Sequence, residues 1–268
     1  MKIKRSIICL LISLTFLSCK EKSKSDAVAI EEKIEESDKS KRTEHKDLQI
    51  IPIEHATAVL KWEGVTIYID PTGGASAFEG QDIPDLILIT DIHGDHLSIE
   101  TLKALNTSKA KIIAPKAVAD QLAKEFANQV DVLANGESKE HFGIIIEAVP
   151  MYNLREEAKD FHVKGRGNGY ILNFNEQRVY FSGDTEDIPE MRSLINIDKA
   201  FICMNLPYTM KVESAASAVL DFKPKQVYPY HFRGRPEVSD VSNFKKLINE
   251  GNPNIEVVQL DWYPNEDY

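Results

Sequence analysis

The order of the secondary-structure elements that the sequence predicts indicates an α/β protein, a four-layered αββα sandwich in which two mixed β-sheets lie face to face with helices outside. Two observations support this fold class. Short strands are followed by alternating strands and helices, and the same order occurs a second time, so two similar halves are expected. The part of the chain after residue 46 has about 220 residues, which is enough for one large hydrophobic core.

Residues 1–18 are predicted to be a lipoprotein signal peptide. A basic start is followed by an apolar stretch at 7–17 that is too short to cross a bilayer as a permanent helix. It ends Phe16-Leu17-Ser18-Cys19, which looks like a bacterial lipoprotein cleavage box with Cys19 as the lipidated first residue. An ordinary secretory peptide or an uncleaved anchor is the alternative. We therefore expect an exported protein that an N-terminal lipid anchor holds at a bacterial cell membrane, on its periplasmic or cell-surface face.

Residues 19–46 are rich in lysine, glutamate and serine. Such a composition cannot bury enough apolar surface to offset the entropy of ordering it, so we expect a disordered tether before a globular domain at 47–268. The formal net charge of −10 argues against a nucleic-acid partner. Cys203 is the cysteine that remains once Cys9 is cleaved off and Cys19 carries lipid, so no intrachain disulfide is available to the domain.

The first half of the domain is predicted to begin as a meander and to continue as β/α units. Apolar runs rich in β-branched residues predict its strands, and helical spacing of apolar residues predicts its helices. The predicted strands are 48–54, 57–62, 65–69, 86–90, 111–114 and 130–133, and the predicted helices are 99–105 and 115–126. The alternation of strands and helices from residue 86 onward indicates right-handed crossovers and a largely parallel region.

The second half is predicted to repeat this order, with a hairpin around Gly143 at its start. Its predicted strands are 137–142, 144–149, 170–174, 178–181, 200–204, 226–230 and 255–260, and its predicted helices are 188–195, 214–222 and 238–249. The two halves show no clear sequence repeat.

The buried strand at 86–90 runs into a turn that carries two imidazoles and two carboxylates, Asp91-Ile92-His93-Gly94-Asp95-His96. Gly94 allows the backbone to fold sharply there, and Ser98 is placed to cap the helix that follows. Imidazole and carboxylate groups together suit zinc, manganese or iron. The alternative is a polar loop with incidental histidines, which the strand–turn–helix context disfavours. The turn is therefore predicted to hold metal.

Three residues outside the turn are candidates for a supporting role. Asp70 ends the third strand, where it would either accept a hydrogen bond from a ligand imidazole or cap the strand. His55 would either approach the site or lie between strands, and we favour the structural role. Arg166, in a glycine-rich loop, would either hold an anionic substrate group or be solvated.

The metal-binding turn resembles that of the metallo-β-lactamase superfamily, whose signature is His-x-His-x-Asp-His. His93, Asp95 and His96 match this signature. The resemblance continues at the turn Gly183-Asp184-Thr185 and at His231, which follows a predicted strand. It implies the αββα fold for essentially the whole domain.

Within the superfamily, the chain looks most similar to the branch that includes ascorbate-phosphate lactonase-like proteins and the phospholipase D that hydrolyses N-acylphosphatidylethanolamine. The points of similarity are Asp70-Pro71, the Gly183-Asp184-Thr185 turn and His231. Substrates in that branch are lactones, phosphodiesters and other esters, so a small-molecule or lipid-like substrate is expected.

Two positions depart from the superfamily pattern. Asp91 stands where the signature has its first histidine, and no histidine stands on the loop after the strand at 144–149, where a metal ligand is usual. Asn153 lies at about that place and is taken as the ligand, although an amide oxygen is a weaker donor. The nearest histidine is His162. Either residue could face the site, and a plain loop role for both stays open.

The resemblance implies two divalent metal ions, with zinc as the first choice and manganese or iron as alternatives. A bridging hydroxide would be the nucleophile, and Asp95 and Asp184 are the residues expected to take part in catalysis. The implied ligands of one metal are Asp91, His93, Asp184 and Asn153, and those of the other are Asp95, His96, Asp184 and His231.

Asp91 adds a negative charge where the signature has a neutral imidazole. We therefore expect a more basic hydroxide, a less Lewis-acidic first metal and a shift of preference from zinc towards manganese or iron.

The function predicted on this basis is metal-dependent hydrolysis of an ester, a lactone or a phosphodiester. The first alternative is a degenerate member of the fold that binds metal or ligand without catalysis, and the two substituted ligand positions motivate it. The second alternative is a structural or adhesive lipoprotein, which would have no concave polar pocket around residues 93, 96, 184 and 231.

Overall fold

The computed structural model describes residues 48–264, and it arranges them in two β-sheets with flanking helices. The predicted signal peptide, the predicted tether and Cys19 lie outside the described residues. Among residues 48–264, no helix has the length and apolar character needed to span a membrane.

The first sheet contains six strands, and they are ordered as they occur in the chain. They are β1 (Gln49–Glu54), β2 (Thr57–Trp62), β3 (Val65–Ile69), β4 (Leu86–Leu88), β5 (Lys111–Ala114) and β6 (Val130–Val132). The first three strands pair antiparallel, and the pairs from β3 to β6 are parallel. A 3-10 turn at Ala75–Phe78 connects β3 to β4, and α1 (Ile99–Ala104) and α2 (Lys116–Leu122) make the next two crossovers.

The second sheet repeats this plan with seven strands in chain order. They are β7 (Ser138–His141), β8 (Ile144–Met151), β9 (Gly167–Phe174), β10 (Gln177–Phe181), β11 (Lys199–Ile202), β12 (Gln226–Pro229) and β13 (Glu256–Val257). The pairs from β7 to β10 are antiparallel and those from β10 to β13 are parallel. The crossover helices are α3 (Pro189–Arg192), α4 (Val212–Phe222) and α5 (Val241–Gly251).

The core explains why the parallel strands consist of uninterrupted apolar residues. In β4, Leu86 and Leu88 belong to a cluster that includes side chains of both sheets. Ile87 belongs to a second cluster with Leu102 of α1 and Val118 of α2. Because both faces of the strand are covered, every side chain in it is buried and the sequence does not alternate. The predicted αββα sandwich of two mixed sheets, with two similar halves, is confirmed.

Several predicted element boundaries were wrong. The strand predicted at 86–90 ends at Leu88, because the Thr90 amide donates to the Asp70 carboxylate at 2.7 Å instead of a neighbouring strand. The helix predicted at 115–126 ends at Leu122, and the last strand is limited to Glu256–Val257. These elements all have correct types and wrong ends.

The fold brings the polar turns together. Parallel strands end at the same edge of a sheet, and in open α/β sheets that edge carries the binding residues. Asp70 follows β3, Asp91 comes after β4, Asp184 comes after β10, and His231 comes after β12. The carboxyl ends of the parallel strands of both sheets therefore supply the candidate site.

Candidate metal centre

The turn after β4 folds back on itself before α1 begins. The amides of His96 and Leu97 both donate to the His93 carbonyl, at 3.0 Å and 2.8 Å. Ser98 then caps α1 by accepting the Thr101 amide, as the sequence predicted. This backbone places the side chains of His93, Asp95 and His96 close to residues from the second sheet.

One cluster of potential ligands consists of Asp91, His93 and His162. His93 Nδ1 lies 2.7 Å from Asp91 Oδ2, and His162 Nε2 lies 3.9 Å from the same oxygen. Asp91 and His162 are buried, while His93 is partly exposed. The donor set of one carboxylate and two imidazoles suits a divalent transition metal.

A second cluster consists of His96, Asp184 and His231, all buried. His231 Nε2 lies 3.0 Å from Asp184 Oδ1, and His96 Nε2 lies 3.4 Å from Asp184 Oδ2. Asp95 lies beside them, with its Oδ2 3.5 Å from His231 Nε2. His55, Asp95 and His231 also form a third group of potential ligands.

Asp184 lies between the two clusters. Its Oδ2 is 3.1 Å from His162 Nε2, which belongs to the first cluster, and its Oδ1 faces His231 in the second. Burial alone would raise the pKa of the Asp184 carboxyl, but the imidazoles of His231, His96 and His162 outweigh it and hold that pKa well below its usual range. Asp184 is therefore ionised and placed to serve both clusters.

Several buried polar atoms of these clusters lack a hydrogen bond to any other side chain that the structure describes, which metal ions would compensate. Asp184 Oδ1 and both ring nitrogens of His162 are buried and make no hydrogen bond within residues 48–264, although His231 Nε2 lies 3.0 Å from Asp184 Oδ1 and Asp184 Oδ2 lies 3.1 Å from His162 Nε2. Buried polar atoms normally have hydrogen-bond partners. A metal ion between the clusters would satisfy Asp184 Oδ1 and one ring nitrogen of His162, as expected of metal ligands.

Asp70 contacts one of the potential ligands, His96. It is fully buried at the end of β3 and accepts His96 Nδ1 at 2.8 Å and the Thr90 hydroxyl at 2.7 Å. Burial raises the pKa of Asp70, while its contacts with His96 and Thr90 oppose that shift. With a proton held on Nδ1, His96 presents the lone pair of Nε2 to the site.

His55 is also part of the site, through Asp95. Its Nδ1 lies 2.8 Å from the Tyr263 hydroxyl, which accepts the amides of Phe232 and Arg233. Burial, and then the neighbouring His231, lower the pKa of His55 to about 4, so it is neutral at pH 7. Its Nε2 faces Asp95 Oδ2 at 3.4 Å. His55 thus holds Asp95, and it does more than fill space between strands.

His162 joins Asp91 and His93 in the structure, and the side-chain oxygen of Asn153 is buried without a hydrogen-bond partner among residues 48–264. The Asn153 amide nitrogen donates to the carbonyls of Ala158 and Tyr208, at 2.8 Å and 2.6 Å. Asn153 thereby ties the loop that carries His162 to the loop after β11. Its backbone amide also donates to the His162 carbonyl at 2.9 Å.

Arg166 faces the first cluster instead of solvent. Its Nε and Nη2 lie 3.2 Å and 3.1 Å from the two oxygens of the Asp91 carboxylate. Burial alone would raise the pKa of Asp91, but the hydrogen bond with His93 and the neighbouring positive charges, Arg166 among them, lower it overall.

A cavity of about 570 Å³ opens at the site. Both clusters and Asp95 contribute to its wall, and the loops after β11 and β12 add polar and aromatic groups. Its lining residues are His55, His93, Asp95, Phe161, His162, Asp184, Asn205, Tyr208, Arg233, Gly234 and Arg235. A structural lipoprotein without such a pocket is therefore disfavoured.

Two groups of supporting residues were missed by the sequence analysis. Glu186 is buried and accepts hydrogen bonds from the amides of Leu154 and Arg155 and from Arg155 Nε. Arg155 also donates to two backbone carbonyls of the loop after β11. Tyr263 is the second, and it lies near the C-terminus. Glu186 follows the Gly183-Asp184-Thr185 turn directly, which was the available signal, whereas no local pattern marks Tyr263.

Comparison with known proteins places these features in a family. Residues 49–231 match the model of a Beta-lactamase superfamily domain. A UPF0173 metal-dependent hydrolase from Pyrococcus abyssi is 32% identical over 195 residues, which are 69% of this chain and 85% of the relative.

Solved structures agree with this comparison. A crystal structure assigned as a metal-dependent hydrolase from Parabacteroides distasonis aligns with a TM-score of 0.72 and 37% identity, covering 81% of this chain and 94% of that one. The metallo-β-lactamase fold protein YhfI from Bacillus subtilis aligns with a TM-score of 0.64 and 11% identity, over 80% and 95% of the two chains, and supports the fold alone. The chain belongs to the metallo-β-lactamase superfamily.

Proposed function

We propose that this metal-dependent hydrolase uses a dinuclear metal centre to cleave an ester, a lactone or a phosphodiester. The observation that carries the proposal is the Asp184 carboxylate, whose two oxygens lie 3.1 Å from His162 and 3.0 Å from His231, one in each ligand cluster. A single carboxylate in this position can serve two metal ions roughly 3.5–4 Å apart. The proposed branch is the one that includes the ascorbate-phosphate lactonase-like proteins and the phospholipase D that hydrolyses N-acylphosphatidylethanolamine.

The side chains of the two clusters divide into two ligand sets that share Asp184. The first set is Asp91, His93, His162 and Asp184, and the second is Asp95, His96, His231 and Asp184. His162 takes the place of Asn153 in this proposed first set, because its Nε2 lies 3.1 Å from Asp184 Oδ2 and 3.9 Å from Asp91 Oδ2. Two metal ions bound there would supply an activated water and polarise the scissile carbonyl or phosphoryl group.

The protein's own groups then orient what the metal ions activate. Asp95 faces the cavity and is held by His55, so its carboxylate has a fixed direction. Asp70 fixes the imidazole of His96 in the same way. Such partners commonly change metal affinity 10- to 100-fold when they are removed.

The ligand set contains four imidazoles and three carboxylates, which zinc, iron and manganese all accept. Zinc stays the first choice, because imidazole donors outnumber carboxylates and the half-buried Arg166 guanidinium faces Asp91.

The cavity favours a substrate with an anionic group beside an apolar or aromatic part. Arg235 lines the cavity and forms no ion pair with any residue of 48–264. Phe161 and Tyr208 form an aromatic wall, with ring centroids 5.2 Å apart. Together with the lipid anchor proposed at Cys19, this wall suits a lipid-like substrate as well as a small phosphorylated one.

The alternative is a protein that keeps the fold and binds metal or ligand without turnover. The two positions that depart from the superfamily pattern, Asp91 and Asn153, motivate it. Metal content separates the two proposals, since hydrolysis by two metals requires about two ions per chain.

Activity is tested with the purified protein after reconstitution with zinc, manganese or iron. An aryl ester, a lactone and a bis-aryl phosphodiester are compared, each with and without a carboxylate on the leaving group. We expect the wild type to hydrolyse at least one of these substrate classes and Asp184→Ala to lose that activity. In Arg235→Gln, the KM for the substrate that carries the carboxylate should be about tenfold higher than in the wild type. An inactive wild-type protein that binds two metals would favour the non-catalytic alternative.

A further inference from the structure

We propose that Arg166 and Asp91 act as one unit that takes the place of the first histidine of the superfamily signature. Arg166 is a positioning residue in this proposal. It fixes the direction of the Asp91 carboxylate towards His93 and His162 and offsets the negative charge of that carboxylate. The inference rests on the proposed function, because it assigns Asp91 to the first metal ion.

The contact between the two side chains is two-pronged. Arg166 Nε lies 3.2 Å from Asp91 Oδ1, and Nη2 lies 3.1 Å from Oδ2. The Asp91 side chain is 0% exposed and the Arg166 side chain 20% exposed. A planar guanidinium that meets both oxygens of a carboxylate restricts its rotation, which a single charge on a flexible chain does not do.

The chain is built to bring Arg166 to this place. Gly167 follows Arg166 and lies so close to the metal-binding turn that an added Cβ would be 2.8 Å from the Thr90 carbonyl oxygen. The Arg166 amide donates to the Val163 carbonyl at 3.1 Å, and its guanidinium also donates to the Phe161 carbonyl. The short loop that supplies the ligand His162 therefore also supplies the partner of Asp91.

The charges explain why the two residues belong together. An ionised carboxylate that is removed from water without a partner is strongly disfavoured. The Asp91 carboxylate and the Arg166 guanidinium together have no net charge. The pair therefore has the same charge as the neutral imidazole of the usual signature. The sequence-based expectation of a more negative site considered Asp91 alone, and Arg166 offsets that extra charge.

The same contact argues against the role in substrate binding that the sequence suggested for Arg166. Two of its nitrogens face Asp91 and one of these also donates to a backbone carbonyl. Binding an anionic substrate in addition would require the guanidinium to leave a buried carboxylate. Arg235, which has no such partner among residues 48–264, is better placed for that role.

A specific consequence separates this proposal from simple ligand replacement. Asp91→His restores the superfamily signature but leaves the Arg166 guanidinium next to a neutral imidazole and a dication. The repaired signature should therefore bind metal poorly until Arg166 is also removed.

The test uses the full chain, zinc ions alone, and competition with a chromophoric chelator to obtain stoichiometry and both dissociation constants. The proteins compared are the wild type, Arg166→Met, Arg166→Lys, Asp91→His and Asp91→His/Arg166→Met. Arg178→Met is the matched control, because Arg178 is similarly half-buried and pairs with Glu147 at 2.8 Å, away from the site. Circular dichroism checks the folding of each protein.

We expect Arg166→Met and Asp91→His each to weaken one of the two zinc sites about 10- to 100-fold and to leave the other unchanged. The double variant should recover affinity to within about tenfold of the wild type. Arg166→Lys keeps the positive charge but not the two-pronged contact, so it should lose part of the zinc affinity. This variant tests the proposal even if Arg166→Met does not fold. The control should bind zinc as the wild type does.

Wild-type affinity in Arg166→Lys and Arg166→Met would overturn the proposal, as would an Asp91→His protein that binds zinc as tightly as the double variant. A wild-type protein that binds fewer than two zinc ions would instead refute the proposed dinuclear centre. The two failures are therefore distinguishable.

Discussion

His55 shows how single residues in this site are set by their surroundings. It occupies the turn between β1 and β2 with a left-handed backbone, φ 56°, and it is held between the Tyr263 hydroxyl and Asp95. Neither neighbour is close to it in sequence. Its neutral form is stabilised mainly by burial, and this has a measurable consequence for the stability of the protein.

The stability of the metal-free protein should depend on pH through His55. Its pKa is about 4 in the folded protein and 6.5 in an unfolded chain, so the unfolded state binds more protons between these values. The free energy of unfolding should therefore fall as the pH decreases from 6.5 to 4, by at most about 3 kcal/mol from this residue.

His55→Asn is the matched variant, because asparagine tolerates the left-handed conformation and can keep a bond to Tyr263. Denaturant unfolding of the chelator-treated proteins at several pH values should show a weaker pH dependence in the variant. Parallel stability curves for the two proteins would contradict the pKa assigned to His55.

The residue scale also shows where sequence analysis succeeds and where it stops. The superfamily resemblance predicted His93, Asp95, His96, Asp184 and His231 as site residues, and the structure brings them into groups of potential ligands. The resemblance could not choose between Asn153 and His162, since that choice depends on how a loop of about a dozen residues folds. Nothing local indicated that Arg166 would meet Asp91, which is 75 positions away.

At the scale of elements, the site depends on how closely β9 approaches the turn after β4. Gly167 begins β9, and its neighbour Asn168 donates its amide to the Thr90 carbonyl at 2.9 Å. A side chain at position 167 would meet that carbonyl and the end of Met151. The glycine therefore sets the distance between the first ligand turn and the loop that carries His162.

Gly167→Ala should lower the free energy of unfolding by about 1–3 kcal/mol, as overpacking of a core does, and should also weaken zinc binding. Both effects have one cause, because the added Cβ would be 2.8 Å from the Thr90 carbonyl oxygen and 2.5 Å from Met151 Cε. Denaturant unfolding and zinc titration measure them.

Gly167→Ala/Met151→Ala is the control for the side-chain part of this clash. It removes the contact with Met151 but not the one with the backbone of Thr90, so zinc affinity should stay low. Full recovery in the double variant would show that the approach to Thr90 is not what matters.

Element types were predictable from the sequence and element ends were not. The continuous apolar run before Asp91 indicated a strand buried on both faces, which the structure confirms for β4. Its last predicted residue, Thr90, leaves the strand because its amide and hydroxyl both bind Asp70. A contact across 20 positions ended the strand, and local patterns do not contain such contacts.

At the scale of the whole molecule, two sheets with the same plan bring the carboxyl ends of their parallel strands together. The first sheet supplies Asp91, His93, Asp95 and His96, and the second supplies Asp184 and His231. The packing of the sheets therefore decides whether the ligand clusters form. This arrangement could be expected from the superfamily resemblance, but distances between residues of different sheets could not.

The proposed membrane anchor belongs to this scale, although Cys19 lies outside the described residues. Cys19→Ala should prevent lipidation, because the thiol is the group that carries the lipid in this interpretation. Fractionation of cells should find the variant either with its signal uncleaved or in the soluble fraction. Continued membrane association of a Cys19→Ala protein with a cleaved signal would rule out the lipid anchor.

The central claim is that Asp184 joins two metal sites, and metal content of the wild type and of Asp184→Ala tests it most directly. Each protein is reconstituted with zinc, freed of excess metal and analysed by mass spectrometry, with its Tm recorded with and without chelator. We expect the wild type to bind about two zinc ions per chain and to have a Tm that chelator lowers. Asp184→Ala should lose most of its metal, and chelator should no longer change its Tm. Two tightly bound ions in Asp184→Ala, or a single ion in the wild type, would contradict the account.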